Sequence, residues 1–127
     1  MYTEIVYDHF MNPRNAYLMD NSNGEGQVGD PACGDSLMIF IRVENNVLEE
    51  VSYLVYGCPA SIATSSMTSV LAKGKTIEEA LSIREKDIIN ALGGLPKGKE
   101  HCSNLGVSAL KKAIEIYKEN VTTQASH

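Results

Sequence analysis

The spacing of hydrophobic positions changes from a helical to a strand period along the chain. From Tyr2 to Phe10 apolar residues recur at helical spacing, with Thr3 placed for an N-cap, and the helix should end before Pro13. Further along, apolar and polar residues alternate in two runs on either side of Asn45-Asn46. Alternation is typical of half-buried strands and an Asn-Asn pair suits a tight turn, so we predict an antiparallel β-hairpin over about 36–56.

The second half of the chain has helical periodicity interrupted by short breaks. A helix over 60–73 should end at Gly74, and a second, short one should begin with a capping box formed by Thr76 and Glu79 and extend through Ile83. A third is predicted over 87–92. Ser103 is a suitable N-cap for the last helix of the chain. The buried stripe predicted for this helix is Leu110, Ala113, Ile114, Tyr117 and Val121.

Two segments lack such periodicity. Residues 15–29 are rich in Asn, Gly and Ser, and we predict a flexible loop there. The last residues, 122–127, are expected to fray. With 127 residues and no internal repeat, the chain is expected to form a single domain over 1–127.

Composition excludes several classes of function. Hydrophobic residues make up 43% of the chain without a run long enough to span a bilayer, so no membrane segment is expected. The net charge of −5 argues against binding to nucleic acid. The N-terminus has no basic region before an apolar core, which predicts a cytoplasmic protein without a targeting peptide.

Three cysteines carry the candidate chemistry, and an odd number without a secretion signal argues against a disulfide framework. Cys33 precedes Asp35 by two residues, Cys58 lies between Gly and Pro, and Cys102 directly follows His101. Three thiolates with one oxygen or nitrogen ligand make a four-coordinate site for Zn²⁺ or for iron in a sulfide cluster. Asp35 and His101 compete for the fourth place.

The predicted hairpin brings two of these cysteines together. Cys33 precedes its first strand and Cys58 follows its second, so both leave from the same end. Cys102 is predicted just before or at the start of the last helix, where free amides and the helix dipole should lower its thiol pKa. Glycines at 93, 94 and 98 should leave it mobile enough to accept sulfur as a persulfide.

Structural explanations compete with the functional ones. Asp35 could cap a strand, His101 could be a solvated loop residue, and His9 and His127 have no matching partners and are expected to be non-functional. The hydroxyls of helix 60–73 either lie near a metal site or form a small packing face that bonds back to helix carbonyls, and the second is favoured. They are Ser61, Thr64, Ser65, Ser66, Thr68 and Ser69.

Taken together, these segments resemble the IscU-type iron–sulfur cluster scaffold family, over about Tyr2 to Tyr117. Gly93-Gly94-Leu95-Pro96 and Gly106 are more similar to the N-terminal domain of NifU. The matching motifs are Tyr7-x-His9, Asn12-Pro13-Arg14-Asn15, Pro31-Ala32-Cys33-Gly34-Asp35, Tyr56-Gly57-Cys58, Lys73-Gly74-Lys75-Thr76 and His101-Cys102-Ser103.

The resemblance implies an α+β fold: a small antiparallel sheet of about three strands packed against several helices, with a long C-terminal helix. It implies a non-enzymatic scaffold that receives Fe²⁺ and desulfurase-derived sulfur, builds a transient [2Fe–2S] cluster and transfers it to apo-proteins. Cys33, Cys58 and Cys102 would be ligands, Asp35 would keep the site labile, and His101 would be the alternative ligand. Cys102 would be the persulfide acceptor.

The expected partners are a cysteine desulfurase and apo iron–sulfur acceptor proteins, with the chain as a monomer or homodimer. Many scaffolds carry Leu-Pro-Pro-Val-Lys for recognition by an Hsp70-type chaperone. Here Lys97 and Gly98 depart from that motif, which argues against chaperone-driven release. The alternative functions are a zinc-bound sulfurtransferase that relays persulfide, and a stable [2Fe–2S] electron carrier, which the hard carboxylate of Asp35 disfavours.

Overall fold

The computed structural model describes residues 2–30 and 34–125, and within them five helices accompany a three-stranded antiparallel sheet in the order β1-β2-β3. The α+β class expected from the resemblance is confirmed. The elements in chain order are α1 (Glu4–Met11), β1 (Gly24–Asp30), β2 (Asp35–Glu44), β3 (Val47–Tyr56), α2 (Pro59–Ala72), α3 (Ile77–Leu81), α4 (Glu85–Ala91) and α5 (Cys102–Ala125).

The β2–β3 hairpin forms as predicted. Asn45 and Asn46 both have positive φ, 54° and 67°, which is the left-handed conformation that a tight primed turn requires. Leu37, Ile39 and Ile41 alternate along β2 on the buried face of the sheet, each at most 1% exposed. The register pairs Ser36 with Tyr56, so the open end of the hairpin brings the start of β2 beside the end of β3.

The predicted loop over 15–29 is wrong in its second half, because residues 24–30 form strand β1 against β2. The glycines that suggested a loop lie instead where this strand touches α5. A Cβ on Gly24 would lie 2.5 Å from the carbonyl oxygen of Ala113, and one on Gly26 would overlap that of Ala109. Glycine in a strand often marks such a close approach between backbones.

The predicted helices are present with small changes at their ends. Thr3 caps α1 by accepting from the Val6 amide, and Gly74, with φ of +83°, follows α2. Thr76 and Glu79 form the reciprocal capping box of α3, which ends at Leu81 rather than Ile83. The segment predicted as helix 87–92 is α4, which begins two residues earlier, at Glu85.

Helix α5 begins earlier and ends later than the sequence indicated. Its first helical residue is Cys102 rather than one after a Ser103 cap, since the turn is already closed by the Cys102 amide, which donates to the Lys99 carbonyl. It continues to Ala125, through part of the segment expected to fray. Val121, predicted on the buried stripe, is 42% exposed. Gly24, where β1 begins, lies against Tyr117, so Val121 is one turn beyond the strand.

His9 joins α1 to α2 inside the protein. Its Nδ1 lies 2.7 Å from the Ser66 hydroxyl, which also accepts from the Arg14 amide at 3.0 Å. Burial lowers the pKa of His9, the positive charge of Arg14 lowers it further, and the nearby Asp8 carboxylate only partly opposes them. The neutral imidazole is therefore a structural part of the α1–α2 contact.

This burial predicts a pH dependence of folding. Because the folded-state pKa of His9 lies below its ordinary value of 6.5, its contribution to the free energy of unfolding is full above that pH. It is lost as the pH falls toward the folded-state pKa. Urea unfolding of wild type and His9→Gln between pH 5 and 7 should show a shallower pH dependence in the variant. The same dependence in both proteins would contradict a buried neutral His9.

The β1–α5 contact can be tested with a pair of glycines from one strand. Gly26→Ala should lower the free energy of unfolding by about 1–3 kcal/mol, because the added methyl overlaps backbone atoms of α5. Gly29→Ala is the matched control, since its Cβ would meet nothing closer than the Asp35 carbonyl oxygen at 3.5 Å. Urea unfolding measures both, and an equal effect would show that the close approach is not what requires Gly26.

Candidate metal-binding site

The site lies at the open end of the hairpin, where three elements meet. Asp35 is the first residue of β2, Cys58 follows the end of β3, and Cys102 is the first residue of α5. Their ligand atoms all lie within 4.8 Å of one another. Cys33, which the hairpin argument placed beside Cys58, lies outside the described residues, but Asp35 and Cys58 meet at this end of the sheet as that argument requires.

A glycine makes room for the Asp35 carboxylate. A Cβ on Gly57 would lie 2.5 Å from Oδ1 and 2.7 Å from Cγ of Asp35, so any larger residue there would displace this side chain. Asp35 itself is only 5% exposed. A carboxylate held this far from solvent needs a hydrogen-bond donor or a cation beside it.

Cys58 occupies the N-cap position of α2, directly before Pro59. Its Sγ lies 4.0 Å from Asp35 Oδ2 and 3.6 Å from the Ser61 hydroxyl. Burial raises the pKa of this thiol, but hydrogen bonds from the Ser61 hydroxyl and from the amides of Ser61 and Ala60 outweigh burial and the charge of Asp35, so the pKa is lowered. The start of α2 therefore favours a thiolate at Cys58.

Cys102 is held against the same helix from the other side. It is 1% exposed, and the Thr64 hydroxyl of α2 lies 3.3 Å from its carbonyl oxygen. Burial raises the pKa of its thiol to about 11; a hydrogen bond with Ser61 opposes this, while the charges of Cys58 and Asp35 add to it. The expectation that the helix start lowers this pKa is wrong, because desolvation by burial is the largest influence on this thiol.

His101 lies at the edge of the group rather than in it. Its side chain is exposed, and Nε2 lies 3.8 Å from Cys102 Sγ. Asp35 and His101 compete for the fourth ligand position, and of the two it is Asp35 that lies close to both described thiols. The participation of His101 and of Cys33 stays a prediction from the sequence.

The donor atoms suit a thiophilic metal. Zn–S bonds of about 2.3 Å place the ligands of a tetrahedral ion ~3.8 Å apart. The separations among Cys58, Cys102 and Asp35 are compatible with that geometry after small side-chain movements. Two sulfurs and one carboxylate oxygen accept Zn²⁺ or Fe²⁺, and the sulfurs also ligate iron–sulfide clusters.

Most hydroxyls of α2 bond back to their own helix, as the favoured interpretation predicted. Four of them donate to a carbonyl three or four residues earlier: Thr64, Ser65, Thr68 and Ser69. Ser61 is different, because its hydroxyl donates to Asp35 Oδ2. The sequence offered one sign of this, since Ser61 follows Cys58 by one helical turn and so lies on the same face.

The different exposure of the two described cysteines predicts different reactivity. In protein freed of metal by a chelator, iodoacetamide should modify Cys58, which is partly exposed, faster than Cys102, which is buried. Peptide mass spectrometry at increasing times gives both rates. The rates should converge in urea, where burial is lost. Equal rates in the folded protein would show that the start of α5 opens readily.

The chain is similar to a family of known domains over nearly all its length. The model of the NifU-like N terminal domain matches residues 1–124. An iron–sulfur cluster assembly scaffold protein IscU from Archaeoglobus fulgidus is 52% identical over 117 residues, which cover 92% of this chain and 76% of the relative. The scaffold protein IscU of Escherichia coli K12 is 43% identical over 92% of this chain and 94% of its own length.

A solved structure shows the same fold. The crystal structure of a putative iron–sulfur cluster assembly scaffold protein of the SUF system from Fervidobacterium islandicum matches with a TM-score of 0.74 at 20% identity, covering 89% of this chain and 96% of its own. Across the described residues of the present chain, no helix is both long and apolar enough to cross a membrane.

Proposed function

Since the chain belongs to the NifU-like N-terminal domain family, we propose that it is an iron–sulfur cluster assembly scaffold. The observation that supports this most directly is the meeting of Cys58, Cys102 and Asp35 at one end of the sheet. The relatives that carry the scaffold name match nearly the whole chain and are not limited to these residues.

The cluster is the cargo of this protein rather than a resident cofactor. Cys33, Cys58 and Cys102 supply thiolates, and Asp35 or His101 completes the site for a transient [2Fe–2S] cluster. Sulfur arrives when a thiolate of the scaffold attacks the outer sulfur of the desulfurase persulfide. A new persulfide forms on the scaffold, and the cysteine of the desulfurase is released as a thiolate. Two ferrous ions and two such sulfurs then need two further electrons, supplied by an electron-transfer protein, to give two ferric ions and two sulfides.

The acceptor of that sulfur is a separate question within this proposal. The sequence resemblance assigns it to Cys102, and that assignment stays a prediction, although the argument from a lowered pKa does not support it. Cys102 must first leave its buried position to meet a donor enzyme. Cys58 is the partly exposed thiol with the lowered pKa.

Asp35 gives the site its capacity to release cargo. A carboxylate is a hard ligand, which binds incoming Fe²⁺ well and holds iron in a sulfide cluster less firmly than a fourth thiolate does. The partners expected for such a scaffold are a cysteine desulfurase as sulfur donor and apo iron–sulfur proteins as cluster acceptors. We propose that the chain is a cytoplasmic monomer or homodimer and is not itself an enzyme, because the desulfurase performs the C–S bond cleavage.

A zinc-bound persulfide relay is the second candidate. It is favoured by the same donor set, because two thiolates and one carboxylate suit Zn²⁺ as well as they suit iron. The two functions differ in one measurable respect, since a relay never contains inorganic sulfide.

Metal and sulfide analysis separates these functions. Protein expressed with ⁵⁷Fe and purified without oxygen should contain iron and acid-labile sulfide in equal amounts, with a [2Fe–2S] Mössbauer spectrum. Cys58→Ser is the control that should lose both. Zinc alone, with no sulfide even after reconstitution with a desulfurase, would overturn the scaffold proposal in favour of the relay.

Removal of the carboxylate should make the cargo more stable. Asp35→Ala should lose its cluster more slowly than wild type, both to an apo-ferredoxin and to oxygen, because the hard ligand that weakens the site is gone. The decay of cluster absorbance measures both rates. Equal decay rates in the two proteins would remove Asp35 from this role.

A further inference from the structure

Ser61 lies beside the candidate metal ligands Asp35, Cys58 and Cys102. It is 1% exposed in the first turn of α2, one helical turn after Cys58. Its hydroxyl donates to Asp35 Oδ2 and lies 3.6 Å from Cys58 Sγ. One small side chain therefore contacts two of the three candidate ligands that meet here, Asp35 and Cys58.

The bond to Asp35 selects which carboxylate oxygen faces the thiols. Oδ1 lies toward Gly57, where there is no room for a side chain. Oδ2 is the oxygen held by Ser61, and it lies 4.0 Å from Cys58 Sγ. A carboxylate oxygen that accepts one hydrogen bond retains a second lone pair for a metal ion.

We propose that Ser61 is a positioning residue for Asp35, which holds Oδ2 toward Cys58 and Cys102 in the orientation that binds a metal ion. The inference rests on the proposed function and extends it to a residue that does not itself ligate metal. Hydrogen bonds to ligating side chains fix their orientation, and loss of such a bond typically lowers metal affinity by about 10–100-fold.

A neighbouring serine distinguishes positioning from helix packing. Ser65 is 2% exposed on the same helix, and its hydroxyl donates to the Ser61 carbonyl at 2.7 Å rather than to a candidate ligand. Ser65→Ala therefore removes a buried hydroxyl of the same kind and leaves Asp35 untouched. It is the matched control for Ser61→Ala.

The experiment measures Zn²⁺ affinity by competition with a chromophoric chelator, in the full chain under reducing conditions. Ser61→Ala should bind Zn²⁺ about 10–100-fold more weakly than wild type, and Ser65→Ala should bind like wild type. In the Asp35→Ala background, Ser61→Ala should cause no further loss, because Ser61 acts through the carboxylate. If Ser61→Ala lowers affinity as much in the Asp35→Ala background as in the wild-type protein, the inference is overturned in favour of a general structural effect.

Co²⁺ provides a spectroscopic readout that a purely structural role would not change. Ser61→Ala should shift the ligand-field bands of the bound ion toward those of Asp35→Ala, because the oxygen ligand is no longer held. Ser61→Thr, which keeps the hydroxyl, should retain the wild-type affinity and spectrum. Wild-type behaviour of Ser61→Ala, or loss of affinity in Ser61→Thr despite a folded circular dichroism spectrum, would overturn the inference.

The same experiment separates this inference from the function on which it rests. Wild type that binds neither Zn²⁺ nor Co²⁺, or binds them as well after Cys58→Ser, contradicts the metal site and with it the proposed function. Tight binding in wild type that depends on Cys58 but is unchanged in Ser61→Ala leaves the proposed function standing and overturns the role of Ser61 alone.

Discussion

Backbone hydrogen bonds between β2 and β3 determine where the candidate ligands meet. Antiparallel pairing returns the chain to the end of the sheet at which it began, so Asp35 at the start of β2 faces the segment that leads from Tyr56 into α2. The turn at Asn45-Asn46 and the one-residue register shift between Arg42 and Val43 together fix the pairing, and a further slip by one residue would reverse which face each side chain occupies. The spacing between carboxylate and thiol is therefore set by the turn and the irregularity beside it, at the far end of the hairpin.

The position of the third candidate ligand, Cys102, depends on small residues where α5 packs against its neighbours. A Cβ on Gly106 of α5 would overlap the Thr68 hydroxyl of α2, so a glycine there allows the two helices to approach closely. Gly24 and Gly26 allow the same approach between α5 and β1. Because α5 is held from both sides, its first residue, Cys102, is pressed against the start of α2. This close packing also explains why its thiol is buried.

Much of the fold could be predicted from local patterns, and the errors share a cause. The hairpin, the capping box at Thr76 and the helix stop at Gly74 depend on local backbone chemistry that a short segment contains. Strand β1 was missed because its glycines are required by close packing against α5, which is far away in sequence. The pKa of Cys102 was predicted in the wrong direction for the same reason, since it is raised mainly by burial against elements that are distant in sequence. Ser61 was grouped with its back-bonding neighbours because its acceptor lies on another element.

The described candidate ligands come from β2, from the cap of α2 and from α5, which are separated in the chain and joined in space mainly by packing. A bound ion or cluster therefore acts as a cross-link between them, and binding to the folded state alone raises the stability of that state. Under the proposed function, cargo and tertiary structure are then thermodynamically linked. A partner that separates α5 from α2 would weaken metal binding, and removal of the metal would in turn make that separation easier.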